Sequence, residues 1–262
     1  MIRNATKQDE EKLKSLWKTC FRDDEQSDID LFFNNRFASA NGLVYTQGEQ
    51  IVSMMFRLPC KFQGKNSMYL YALATHPDFR KLGYMSQLIE YAHAQMKKDN
   101  IEYSLLLESE KSLCNYYKRF NYQSSFCYRL AKLSGQSDMS VLYADVEYVE
   151  SIRSKRLKHA VQWDIDALSY ANKYSKSINE QWFRVDDGYA IASKKDGKVY
   201  ISELVCTDMI RAAQSVNTYF SANECIVKLP PDMTLGDKIY RGMIYAPSGE
   251  IIKDAYISME LE

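Results

Sequence analysis

The chain has little to offer several large classes of protein. It carries no excess of charge: 34 Lys and Arg stand against 34 Asp and Glu over 262 residues. Without a global field it recruits neither nucleic acid nor an anionic membrane surface, so any anion it binds must be captured locally. Long apolar runs are missing too. A stretch such as YLYALA (69–74) is far too short to span a bilayer, and the opening MIRNATKQDEEK lacks the apolar core of a signal peptide. These features predict a soluble, cytoplasmic protein with no membrane partner. Histidine is scarce, and His76, His93 and His159 form no H-x-x-x-H pattern. The six cysteines are scattered, with no C-x-x-C pair and no histidine at ligand spacing, which predicts reduced thiols and no metal site. Neither G-x-x-x-x-G-K-S/T nor G-x-G-x-x-G after a strand occurs, which argues against a mononucleotide or phosphoryl-transfer protein.

What is present is hydrophobic periodicity in alternating registers. The length suits one large domain, or one full domain with a smaller one. A short strand at 2–4 precedes a helix over 9–20, where Leu13, Leu16, Trp17 and Cys20 recur at helical spacing and Thr6 and Asp9 supply capping oxygens. A second helix is predicted over 29–37. Residues 42–75 read as three antiparallel strands broken at Gln47-Gly48 and at 63–66. Met85, Leu88, Ile89, Ala92 and Met96 form one buried helix face; a strand (103–107), a helix (111–119) and a closing strand (122–128) follow. The pattern breaks at LSGQSDMS (133–140), the predicted boundary between domains 1–132 and 141–262. Beyond it lie a helix (165–173), strands at 188–193 and 198–205, a helix (209–220), and strands at 224–229 and 239–245. The expected class is α+β, a mixed sheet flanked by helices, with a smaller α+β C-terminal domain that echoes the second half of the first.

The stretch THPDFRKLGYM (75–85) joins a strand to a helix. A helix N-terminus presents unpaired N–H groups and partial positive charge, a natural seat for phosphate. Arg80 and Lys81 add charge there, Gly83 permits close approach, and the N–H groups from Leu82 through Tyr84 and Met85 to Ser86 converge.

Three segments in order carry a family resemblance: IRNATKQDEEKLKSLWKTCF, YALATHPDFRKLGYMSQLI and NYYKRFNYQ. They are similar to the first strand and helix, the pyrophosphate loop, and the acceptor-side helix-to-strand segment of the GNAT superfamily of acyl-coenzyme A-dependent N-acyltransferases. The chain departs from the family pattern at Lys81 and Asn121, where glycine is usual, and at Met85, where a small residue is usual; a side chain as bulky as Met85 must turn into the core. Arg-x-x-Gly-Tyr-Met resembles a branch with an added C-terminal domain, which includes the enhanced-intracellular-survival type, so the second domain is expected to be a truncated GNAT-like unit.

The resemblance implies acetyl-CoA as co-substrate and a small-molecule or peptide amine as acceptor. Backbone groups of Leu73, Ala74 and Thr75 would pair with the pantetheine arm, and Arg80, Lys81, Leu82, Gly83, Tyr84, Met85 and Ser86 would hold the diphosphate. Tyr117, at the tyrosine of the Phe-Tyr-x-Lys motif, is the expected general acid. For the general base, Glu108 and Glu110 follow the fifth strand, the enhanced-intracellular-survival type points to a terminal carboxylate, here Glu262, and an ordered water is an alternative. His76 is expected to contribute backbone alone and His93 to lie at the surface or rim. The competing reading is a non-catalytic acyl-CoA-binding regulatory or interaction protein built on a degenerate GNAT fold.

Overall fold

The computed structural model describes residues 1–259 and divides the chain into two compact units of comparable size. The first holds residues 1–123 and 242–251, the second 124–241 together with the chain from 252 onward. In chain order the elements are β1 (Ile2–Asn4), α1 (Glu10–Cys20), α2 (Gln26–Asn35), β2 (Leu43–Gln47), β3 (Gln50–Phe62), β4 (Lys65–Thr75), α3 (Tyr84–Met96), β5 (Tyr103–Leu106), α4 (Cys114–Lys118) and β6 (Gln123–Ser124). They continue with β7 (Cys127–Ser134), β8 (Leu142–Tyr143), α5 (Val146–Arg156), α6 (Ile165–Ser177), β9 (Gln181–Val185), β10 (Gly188–Lys195), β11 (Lys198–Val205), α7 (Met209–Tyr219), β12 (Glu224–Leu229), β13 (Asp237–Tyr240) and β14 (Met243–Tyr245).

In the first unit the sheet runs β1-β2-β3-β4-β5-β14-β6. Its start is fixed by charge. Arg3 donates to both carboxylate oxygens of Asp9 at 2.7 Å, and the same carboxylate accepts from the N–H and hydroxyl of Thr6, so the chain turns from β1 into α1 around one buried anion. The apolar face of α1 delivers Trp17 to Phe32, Phe56 and Tyr71 at ring separations of 5.1–6.0 Å, and this aromatic cluster welds both helices to β3 and β4. On α3, Leu88, Ile89, Ala92 and Met96 are buried against Met55, Leu70 and Leu106, as the periodicity predicts.

The second unit's sheet runs β13-β7-β12-β11-β10-β9-β8, with α7 packed on its centre. Here the structure departs from the sequence reading. The strand predicted at 122–128 is split: β6 closes the first sheet, and β7 starts at Cys127 and continues to Ser134, pairing with β12 and β13, so the passage between units falls near Ser124 and not at 133–140. Gaining this strand makes the second unit comparable in size to the first. The single strand predicted at 239–245 is broken at Gly242, where φ is +104°. Its first half pairs with β7, and its second half pairs with β5 in the first unit, Met243 opposite Leu106. Helix α5 and strand β9 escaped the sequence reading. α5 is mostly polar, and its packing rests on Val149 and Arg153.

Arg153 is the second unit's polar anchor. Wholly buried, it donates to both oxygens of Glu203 at 2.7 and 2.9 Å, to Ser258 Oγ at 2.8 Å and to the carbonyl of Val161. One guanidinium thereby ties α5, β11 and the 255–259 segment together. Removing one partner strands a buried charge, whereas replacing both restores neutrality. Arg153→Met is expected to lower unfolding free energy by about 3–5 kcal/mol. The double variant Arg153→Met with Glu203→Leu should recover most of that loss, as read by urea denaturation.

Candidate functional site

The first unit's distinctive geometry begins in β4. Met54 pairs with Ala74 and Phe56 with Tyr71, so Ala72 and Leu73 together stand opposite Met55 alone. This is a β-bulge, and Ala72 takes it at φ +47°, a conformation that costs an alanine about 1–2 kcal/mol. On its other side β4 runs parallel to β5 only from Ser67–Tyr103 to Tyr69–Leu105. Beyond Tyr69 the two strands part, and the bulged end of β4 leads into the loop before α3.

That loop is shaped by local capping. His76 Nδ1 accepts from the N–H of Asp78 at 3.3 Å, so its side chain, expected to be a bystander, closes the short turn at 77–79. Arg80 Nε donates to the carbonyl of Thr75 at 3.2 Å, drawing the guanidinium back toward the strand end, and Cys20 Sγ donates to the same carbonyl. Lys81 sits at φ +64° and Gly83 at φ +82°. Gly83 is the N-cap of α3, and no side chain caps that end, so the first N–H groups of the helix, at Tyr84, Met85 and Ser86, point outward. A Cβ placed on Gly83 would meet nothing nearer than Gln87 Nε2 at 3.9 Å: the space in front of the helix is open. Arg80, Lys81, Leu82 and Gly83 are exposed, and Tyr84, Met85 and Ser86 half-buried. The Met85 side chain packs against the core beneath α3, as its bulk required.

Both glycine departures have a conformational explanation. Lys81 and Asn121 occupy left-handed backbone, at φ +64° and +63°, the region that otherwise favours glycine. Asparagine tolerates it, whereas lysine holds it under strain.

Tyr117 lies on α4, buried among Tyr116, Phe120 and Tyr122, and burial pushes its hydroxyl above the ordinary phenol range. Its neighbour Tyr116 reaches α3, its hydroxyl 3.2 Å from Ser86 Oγ. Glu108 is no solvated strand-end residue. Buried, it accepts from the N–H of Gly242 at 2.9 Å and from Cys114 Sγ, holding the returning strand β14 in place. Glu110 is exposed and accepts from Ser112 Oγ. Glu262 lies outside the described residues. Among those described, no cluster of His, Cys, Asp or Glu is placed to hold a metal ion, and no helix is long and apolar enough to cross a membrane.

His93 departs from the rim position expected of it. Its ring stacks on Tyr245 at 3.9 Å, and its Nε2 meets the hydroxyl of buried Tyr122, itself 2.6 Å from Ser104 Oγ. The sequence held no signal for this, because Tyr245 arrives from far along the chain.

The first unit is thus an acyltransferase-type scaffold: a mixed sheet, a bulged strand parting from its parallel neighbour, and an open helix end after an Arg-x-x-Gly loop. Residues 1–124 match the family model described as an acetyltransferase (GNAT) domain. No curated protein matches the chain in sequence. Among solved structures it is similar to a probable N-acyltransferase from Enterococcus faecalis V583, with a TM-score of 0.74 at 14% identity over 94% of this chain and 72% of that one. It is similar also to Eis1 from Mycobacterium abscessus, with a TM-score of 0.73 at 11% identity over 94% and 73%. A tandem GNAT protein from the clavulanic acid biosynthesis pathway gives 0.56 at 10% identity over 94% and 98%. At these identities the likeness is one of fold, two GNAT-like halves in one chain, consistent with the two-domain branch.

Burial lowers the pKa of His93 from 6.5 to about 4. The folded state therefore resists a proton that the unfolded chain accepts. Stability from this site is complete above pH 6.5 and declines as pH falls toward 4, by on the order of 3 kcal/mol. Urea titrations at stepped pH should show this decline in the wild type and a shallower one in His93→Gln.

Proposed function

We propose that the chain is an acyl-CoA-dependent N-acetyltransferase, moving an acetyl group from acetyl-CoA to an amine by direct attack. The observation that carries this reading is one of continuity. The edge of β4 freed beyond Tyr69 leads into a loop ending at the uncapped N-terminus of α3, so an extended thioester arm and a diphosphate have adjacent places within one unit. The N–H groups of Tyr84, Met85 and Ser86 and the charges of Arg80 and Lys81 suit the diphosphate, and the open space before Gly83 admits it beside Leu82. Leu73, in the bulge, takes the main backbone share of the arm. The carbonyl of Ala74 already accepts from Ser53 Oγ, and that of Thr75 from Arg80 and Cys20.

In the transfer itself the neutral amine attacks the thioester carbonyl. A C–N bond forms, the C–S bond breaks, and the leaving thiolate takes a proton from Tyr117. Burial keeps Tyr117 protonated at neutral pH, so its proton is present to be donated. Glu108 is committed to Gly242 and Cys114, which removes it from consideration as general base. An ordered water or the carboxylate of Glu262 then carries away the amine proton. The acceptor is a small-molecule or peptide amine, and the reaction belongs in the cytoplasm, where free thiols persist.

Calorimetric titration of acetyl-CoA is expected to show saturable binding to the wild type and none to Gly83→Glu, in which a carboxylate faces the diphosphate. Retained binding in that variant would reject the loop assignment. Tyr117→Phe should bind acetyl-CoA normally yet release thiol ~10²–10⁴ times more slowly in the presence of an acceptor amine. Tight binding without thiol release across an amine panel would instead favour a non-catalytic acyl-CoA-binding role.

A further inference from the structure

Helix α4 carries Tyr117 and is only five residues long. Isolated helices shorter than about 12 residues are marginal in water, so α4 takes its place from what it touches. Tyr117 and, just past the helix end, Phe120 are buried in the core that α3 also covers. At the start of α4, Cys114 Sγ donates to Glu108 Oε1. Between these anchors Tyr116 reaches across to α3, its hydroxyl 3.2 Å from Ser86 Oγ.

That contact joins two parts of the first unit that have separate tasks. Ser86 is the third residue of α3 after the Gly83 cap, in the turn whose N–H groups no side chain caps. Tyr116 directly precedes Tyr117, so a shift of one moves the other. The Tyr116 ring is wedged in place: it meets Tyr117 and Phe120 edge-on at centroid separations of 5.4 and 5.3 Å, and the Arg119 guanidinium lies 5.7 Å from its centroid. Burial raises the proton affinity of the Tyr116 hydroxyl, which stays a neutral hydrogen-bonding group at physiological pH.

The same turn of α3 is held independently from its other side. Tyr84 packs on Tyr45 at 4.4 Å, and its hydroxyl donates to Gln47 Oε1 at 3.3 Å, which fastens the helix end to β2. Loss of the Tyr116 hydroxyl therefore leaves the α3 terminus where it is and frees α4.

We propose that Tyr116 is a positioning residue: through Ser86 its hydroxyl fixes α4 on the first turn of α3 and so sets where the Tyr117 hydroxyl stands relative to the thioester. This role rests on the acetyltransferase reading of the first unit. Tyr116 itself transfers no proton. A misplacement of about 1 Å at a reacting group costs on the order of 10²-fold in rate, so a single hydrogen bond outside the reaction is enough to matter.

The test compares Tyr116→Phe, Ser86→Ala and the double variant with the wild type, by calorimetry of acetyl-CoA and by thiol release with the amine that the wild type turns over fastest. Tyr116→Phe keeps the ring, and Ser86→Ala keeps the backbone N–H. Each single variant should bind acetyl-CoA nearly as the wild type does and lower kcat by ~10–10²-fold, with the shape of its pH profile unchanged. The double variant should be no slower than the slower single one, because both substitutions remove the same contact. Circular dichroism checks folding, and Ser86→Ala carries the comparison if Tyr116→Phe does not fold. Unchanged kcat in a folded single variant, a loss in Tyr116→Phe that Ser86→Ala does not reproduce, or acetyl-CoA binding lost in step with kcat would overturn this role and leave the acetyltransferase reading standing. A wild type that neither binds acetyl-CoA nor releases thiol would overturn that reading, and the role of Tyr116 with it.

Discussion

Strand β4 parts from β5 after Tyr69, and the first unit's site depends on that divergence. Two residues, Ala72 and Leu73, stand opposite one on β3, and the bulge bends β4 toward the loop before α3. The left-handed backbone at Ala72 is tolerated because its surroundings are over-determined: Trp17 and Phe32 pack against neighbouring Tyr71, which pairs with Phe56, and Ser53 clasps the carbonyl of Ala74 and the hydroxyl of Thr75. On the far side β5 is held by β14, whose entry is pinned by the Glu108–Gly242 contact. An opening in a sheet leaves strand edges without partners, so both flanking strands must be anchored on their other sides. Here they are.

The same device appears in the second unit with a different outcome. There too a parallel pair ends after three residues at a bulge, yet α7 begins with a carboxylate in its cap where α3 begins with a bare glycine. One fold thus carries a helix end without a side-chain cap in one copy and a carboxylate-capped one in the other. The difference lies in a few residues, Arg80 to Gly83 against Cys206 to Asp208, because a helix terminus takes its electrostatic character from its cap.

The loop and its helix could be read from sequence because both signals are local. Capping, glycine placement and 3.6-residue periodicity act within a few residues, and they placed α1, α3, β4 and the Arg-x-x-Gly turn correctly. The second unit was harder. Its boundary was misplaced because β7 continues through what reads as the end of a closing strand, and α5 was missed because its buried face rests on Arg153, a residue whose type announces exposure. Glu108 and His93 were misjudged for a related reason: their partners, Gly242 and Tyr245, come from a segment more than 130 residues further along.

By itself the sequence determined the local structure of the first unit's loop, a glycine-capped turn carrying Arg80 and Lys81 followed by an amphipathic helix, since those depend on neighbours in the chain. Tertiary structure alone decided that residues 239–245 serve two sheets, that a buried arginine organises the second unit, and that Tyr116 reaches Ser86 on α3. Each of these rests on pairings between residues far apart in sequence. Such pairings are selected by the burial and charge compensation of the whole fold, and no window along the chain contains them.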